Sequence, residues 1–249
     1  MNELSLFTGA GGGVLGTKLL NNWRSVGYVE WDKYCQKIIS QRIEDGFLDE
    51  APIFGDIDDF IESGSAKKYA GFVDVVTAGF PCQPFSVAGK KKGQDDERNK
   101  WPQTLQCIRD IRPRYALLEN VPGLLNSGYF GEILSSLAQA GFDARWCVFG
   151  ADDVGAPHRR KRLWILANSE SAGLQGRDIS TTESNKEPQY SNTWAEDCNG
   201  ELNWWSTEPN VGRVANGVAS RVDRLKAIGN GQVPAVAATA WLLLTDQFE

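Results

Sequence analysis

Short, mostly apolar runs recur along the first two-thirds of the chain, separated by stretches whose apolar positions repeat at helical spacing. Glu3 to Leu6 reads as a strand, Phe7 to Gly13 as a glycine-rich turn, Val14 to Asn22 as a helix and Ser25 to Val29 as a second strand. Asp32 to Asp45 has helical spacing, Ile53-Phe54 makes a short third strand, and Phe72 to Ala78 reads as a buried parallel strand. A helix around Thr104 to Ile111 leads into a fifth strand, Tyr115 to Leu118, and Glu132 to Ala140 is a further helix. Ala144 to Phe149 and Arg162 to Ala167 are two more strands. This alternation predicts an α/β fold with a doubly wound, largely parallel sheet. The pattern lapses after Ala167: Asn168 to Asn210 is rich in Ser, Thr, Asn, Glu and Gly, with isolated aromatics at Tyr190, Trp194, Trp204 and Trp205. Gly229-Asn230-Gly231 reads as a turn, and an apolar helix from about Val233 to Leu244 restores order. The expected organisation is a main unit over 1–167, a short irregular region over 168–212, and a C-terminal segment over 213–249 that returns to the main unit.

Composition narrows the class. With 249 residues and 41% hydrophobic content, one α/β domain with a sizeable core is expected. No apolar run reaches transmembrane length and the N-terminus lacks a signal-peptide pattern, so a soluble, intracellular (cytoplasmic) protein is expected. Five cysteines, Cys35, Cys82, Cys107, Cys147 and Cys198, include no C-x-x-C pair, and His158 is the one histidine. Neither a disulfide scaffold nor a metal site is expected. The net charge of −6 lowers the prior for a nucleic-acid binder, but distribution matters more than the sum. Lys90, Lys91 and Lys92 cluster in one loop, and Arg159 to Arg162 form a second basic run.

The candidate chemistry lies at strand ends. Gly79-Phe80-Pro81-Cys82-Gln83 places a thiol after one apolar run, and Glu119-Asn120-Val121 ends the next run with a carboxyl group. Adjacent carboxyl ends of an open α/β sheet form the crevice where ligands bind. A free cysteine is often a small buried hydrophobe, but Cys82 faces a polar, glycine-bearing loop, Pro84 to Lys100, and an acid arrives beside it. Gly11-Gly12-Gly13-Val14-Leu15-Gly16 satisfies G-x-G-x-x-G, with Glu30 about 20 residues on as an acceptor for ribose hydroxyls. That pattern alone also fits an NAD enzyme, yet nothing downstream resembles a hydride-transfer site.

Seven motifs in order resemble the cytosine-C5 DNA methyltransferase family. They are Leu6-Phe7-Thr8-Gly9-Ala10-Gly11-Gly12; Glu30-Trp31-Asp32; Gly55-Asp56-Ile57; Pro81-Cys82-Gln83-Pro84-Phe85-Ser86 with Gly89 to Gly93; Glu119-Asn120-Val121; Pro157 to Arg162; and Ala227 to Gly231. The resemblance implies S-adenosylmethionine as cofactor, held by Phe7, Gly9, Ala10, Gly11, Gly12, Glu30, Trp31, Asp56, Ile57, Gly79, Pro81, Asn230 and Gly231. Trp31 would stack on the adenine and Asp56 would accept from its amino group. It implies double-stranded DNA as partner, contacted by Gln83, Ser86, Lys90, Lys91 and Lys92, with 168–212 as the target-recognition region; a monomer is expected. Cys82 would add to C6 of a flipped-out cytosine and Glu119 would protonate N3. Arg160 would support the base or Glu119, while Arg162 would hold the strand end. His158 departs from the glutamine usual in that motif, and Asn99-Lys100-Trp101 from a glycine-x-leucine-like run, which makes Trp101 a candidate wall of the cofactor pocket. A related RNA cytosine methyltransferase and a catalytically idle binding module are the competing readings.

Overall fold

The computed structural model describes residues 1–81, 99–169 and 221–245. Within them seven strands form one sheet: β1 (Asn2–Leu6), β2 (Arg24–Val29), β3 (Ile53–Phe54), β4 (Val75–Ala78), β5 (Tyr115–Asn120), β6 (Asp143–Phe149) and β7 (Arg162–Asn168). Their spatial order is β3-β2-β1-β4-β5-β7-β6. All pairings from β3 to β5 are parallel, whereas β7 is antiparallel to both β5 and β6. Central strands β4 and β5 are buried on both faces, which is why they read as unbroken apolar runs. Edge strand β6 carries polar residues only in its first half, Asp143 and Arg145, and leaves Trp146 and Val148 half-exposed.

Helices cover both faces, as expected of a doubly wound sheet. One layer contains α1 (Gly12–Asn21), α2 (Lys33–Glu44) and α7 (Pro234–Thr245); the other contains α3 (Ile57–Glu62), α4 (Trp101–Ile111) and α5 (Gly128–Gln139). Local chemistry sets their starts. The Asp32 carboxylate accepts from the Tyr34 and Cys35 amides at the N-cap of α2, and Asp56 accepts from the Asp58 amide at that of α3. Asn22 and Arg112 end α1 and α4 in the left-handed region.

Several elements differ from the sequence expectation, α5 beginning at Gly128 rather than Glu132 and α3 being unforeseen, and three further differences have a clear cause or consequence. The fourth strand begins at Val75 rather than Phe72, because Gly71 turns the chain and Asp74 is spent accepting from the Asn2 amide. The fifth continues to Asn120, so Glu119 is a strand residue paired opposite Trp164. A helix, α6 (Arg221–Asn230), occupies the stretch before the apolar C-terminal helix and runs through Gly229-Asn230 where a turn was expected. Of the region assigned to target recognition, 170–212 lies outside the described residues and Asn168 closes β7. No helix of the described residues is long and apolar enough to cross a membrane.

Candidate active site

Five parallel strands deliver their carboxyl ends to one edge of the sheet. The reversed strand β7 starts at that same edge, with Leu163 opposite Asn120. Two buried acids stand there, Glu30 after β2 and Glu119 near the end of β5.

Glu30 braces the turn after β1. One carboxylate oxygen accepts from the Gly9 amide at 2.6 Å and the other from the Asp32 amide at 2.8 Å. Burial holds its carboxyl above the usual carboxylate range, against the pull of those two amides. The turn itself is unusual: Phe7 has φ 53°, uncommon for a large side chain, and Gly11 enters α1 in the left-handed region at φ 80°. Arg42, which the sequence did not single out, reaches from α2 to donate to the Ala10 carbonyl.

The glycines of this turn do something the motif alone did not reveal. At Gly12 and Gly13 there is no room for a Cβ, because the Gln232 carbonyl packs on the first and the Gln232 side-chain oxygen on the second. The close approach that Gly12 permits on its Cβ side is therefore taken by the chain's own C-terminal segment. Trp101 differs from the expectation that it walls a cofactor pocket. Its indole is buried against Phe80, with ring centroids 5.1 Å apart, and donates to Ser136 Oγ on α5, so it belongs to the core. The Ile57 side chain is likewise in the core, and Asp56 already caps α3. Trp31, by contrast, is 71% exposed beside Glu30.

Glu119 has a different environment. Its Oε1 is paired with Arg162 Nε at 2.9 Å, and the Gln232 amide lies 3.5 Å from its Oε2. Burial raises its proton affinity, opposed first by the Arg162 charge and then by the Gln232 amide and Arg160. The arginines thus exchange the parts expected of them. Arg162 grips the acid directly, whereas Arg160 donates to the Gly229 and Gly231 carbonyls and so fastens the segment between α6 and α7. Arg160 adopts φ 32°, a strained conformation held in place by those two contacts. Its influence on Glu119 is the weaker, through-space one. Asn230, at the end of α6, is exposed.

Asn120 connects this acid to the neighbouring strand exit. Its side-chain amide donates to the Phe80 carbonyl at 3.1 Å, and Gly79 lies so close to Glu119 that a Cβ would stand 3.0 Å from Oε2. Lys100 closes the far end of the same loop by donating its amide to the Pro81 carbonyl. Cys82 and the expected DNA contacts Gln83, Ser86, Lys90, Lys91 and Lys92 lie outside the described residues. Among the described cysteines, burial pushes the Cys35 and Cys147 thiols up to about 11 and that of Cys107 to about 12. None of those three is an activated nucleophile.

Comparison with known proteins shows the family. The family model for C-5 cytosine-specific DNA methylase matches residues 1–230. Type II methyltransferase M.BsuFI of Bacillus subtilis is 35% identical over 175 residues, which cover 69% of this chain and 40% of that protein. Type II methyltransferase M.HaeII of Haemophilus aegyptius is 35% identical over 167 residues, 66% of this chain and 49% of that one. The chain thus spans half or less of these relatives' lengths. A DNMT2 mutant of Spodoptera frugiperda superposes with a TM-score of 0.52 at 20% identity, covering 72% of this chain and 53% of that one, a likeness of fold. Mostly parallel sheet, acid-bearing strand ends and ordered motifs converge: the chain belongs to the C-5 cytosine-specific DNA methylase family.

Proposed function

We infer that the protein methylates C5 of cytosine in double-stranded DNA. The observation that carries this reading is the buried Glu119–Arg162 pair beside the strand exit that leads to Cys82. An acid held next to a soft nucleophile suits addition to an electron-poor ring. Cys82 as thiolate forms a bond to C6 while Glu119 places a proton on N3, so charge leaving the sulfur is drained through the ring. Arg162 orients the carboxyl and keeps its resting form from drifting further towards the neutral acid. Once C5 carries the new methyl group, a base removes the C5 proton, the C6–sulfur bond breaks to regenerate the thiolate, and N3 returns its proton to Glu119.

The residues at the other half of the edge fit S-adenosylmethionine by their chemistry: a buried carboxylate after β2 for the ribose hydroxyls, an exposed indole at Trp31 for the adenine, and the open backbone of Phe7 to Gly9. When bound, that cofactor supplies the electrophilic methyl group that C5 takes up. Gly79 and Pro81 stand between the two halves, and the Lys90 to Lys92 cluster suits sequence-independent phosphate contact. The target base must leave the duplex stack, at a cost of a few kcal/mol.

The experiment is tritiated methyl transfer to duplex DNA and, in parallel, to tRNA, followed by bisulfite sequencing of the DNA product. Label in duplex DNA at C5 of cytosine is expected. Label in tRNA alone would replace this reading with RNA methylation, and label in neither would end it.

A further inference from the structure

We propose that Gln232 is a positioning residue for Glu119, a carboxamide able to serve that acid in both of its protonation states. The inference rests on the cytosine-methylation reading for its purpose, but not for its test.

Gln232 lies between α6 and α7, in a segment held down by Arg160 through the Gly229 and Gly231 carbonyls. Its carbonyl packs on Gly12 and its side chain crosses from the glycine turn to the acid. The side-chain oxygen rests against Gly13, and Nε2 lies 3.5 Å from Glu119 Oε2. The same Nε2 would be 3.1 Å from a Cβ at Gly79, so the amide fills the gap between the exits of β1 and β4. Beneath it is a cavity of about 10 Å³ whose walls include Glu3, Thr17, Thr77 and Trp164. The Trp164 indole N–H is buried with no partner among the described residues.

The two partners of Glu119 differ in what they can tolerate. Arg162 carries only donors, so it favours the ionised carboxylate and opposes protonation. A carboxamide carries both kinds of group. Its NH₂ donates to an ionised Oε2, and after a half-turn its oxygen accepts from a protonated one. A reaction that takes a proton from Glu119 and returns it needs a neighbour that loses no hydrogen bond in either state. The 3.5 Å separation is at the slack end of hydrogen bonding, as suits a contact remade each cycle.

The test follows the Glu119 proton in the whole resting protein. Infrared difference spectra across a pH titration show the carboxylic-acid C=O band that Glu119→Gln lacks. In Gln232→Met, which keeps the volume, that band should persist to higher pH, with about tenfold tighter proton binding, because the amide's bond to the ionised carboxylate is charge-assisted and stronger than its bond to the neutral acid. In Gln232→Glu, which keeps the shape, a second carboxyl beside the first should shift it further in the same direction. If DNA methylation is observed, kcat in Gln232→Met should fall with its pH profile displaced upward, while KM for S-adenosylmethionine stays unchanged. An unmoved band in a folded variant overturns the proposal whatever the activity. Loss of cofactor affinity with an unmoved pH profile also overturns it, in favour of a cofactor contact. Wild-type protein that methylates no DNA, yet shows the displaced band in the variants, would leave Gln232 in place and remove the functional reading instead.

Discussion

Glu30 and Glu119 are both buried acids at the carboxyl edge of one sheet, yet they are held in opposite ways. Each oxygen of Glu30 accepts from a backbone amide of its own neighbourhood, Gly9 or Asp32, which cannot swing away without unmaking the turn. The oxygens of Glu119 meet side chains from β7 and from the segment before α7, which can shift while the backbone stays put. A carboxylate bound by main chain is a brace. One bound by side chains can exchange a proton. The difference suits the first to shaping a pocket and the second to the proposed chemistry, although burial raises the proton affinity of both.

The largest effect should fall on the proposed nucleophile. Cys82→Ser should abolish methyl transfer with folding and cofactor binding nearly intact, because a hydroxyl is far less nucleophilic than a thiolate. A duplex carrying 5-fluorocytosine should trap a covalent adduct with wild type and none with the variant, and turnover by the serine form would break the assignment. Next, Glu119→Gln should slow transfer roughly 10²- to 10⁴-fold, read in single turnovers; a loss below about threefold would mean that another group protonates the ring. Glu30→Ala should act through binding and stability, costing about 1.5–3 kcal/mol for each charge-assisted bond lost. Calorimetry with S-adenosylmethionine and urea unfolding should both register it. If Glu30→Ala left both untouched while lowering kcat, the contrast between brace and acid would collapse.

The smallest effect concerns a third acid. Glu3 on β1 is fully buried, accepts from Thr17 at 2.6 Å and Thr77 at 2.7 Å, and burial pushes its carboxyl up to about 7. Its folded form therefore keeps a proton that the unfolded chain releases near the ordinary value of 4.5. Its stabilising contribution is present in full below that ordinary value and fades as pH rises towards 7. Urea unfolding of Glu3→Gln should be less pH-dependent than wild type between about 4.5 and 7; equal slopes would show that Glu3 is ionised in the fold.

The sequence made the acid and the strand alternation legible because both are local: apolar runs ending in a polar residue need no knowledge of neighbours. What it hid were contacts between distant segments. Arg160 and Arg162 are two residues apart, and only the reversal of β7 decides which of them meets Glu119. Gln232 carries no motif of its own, since its partners are 113 residues away at Glu119 and farther still at Gly12 and Gly13. The helix α6 has weak apolar patterning and several charges, so Gly229-Asn230-Gly231 reads as a turn until Arg160 is seen holding its carbonyls. Trp101 resembled a pocket wall by position, but the adjoining Phe80 and Ser136 give its indole a better place in the core.

The packing of α7 on α1 has a kinetic consequence. Asn21 donates to the Ala238 carbonyl across 217 positions of chain, and the glycines at the start of α1 are covered by the segment that leads into α7. Closing so long a loop carries an entropic cost that local strand pairing does not offset early. The parallel strands from β1 to β5 can assemble while the glycine face of α1 is still bare, and the turn reaches its final shape only when the far segment docks. On a ribosome, that face waits until the chain has been made past Ala238. A refolding experiment should therefore find sheet formation complete before the glycine turn becomes protected from hydrogen exchange.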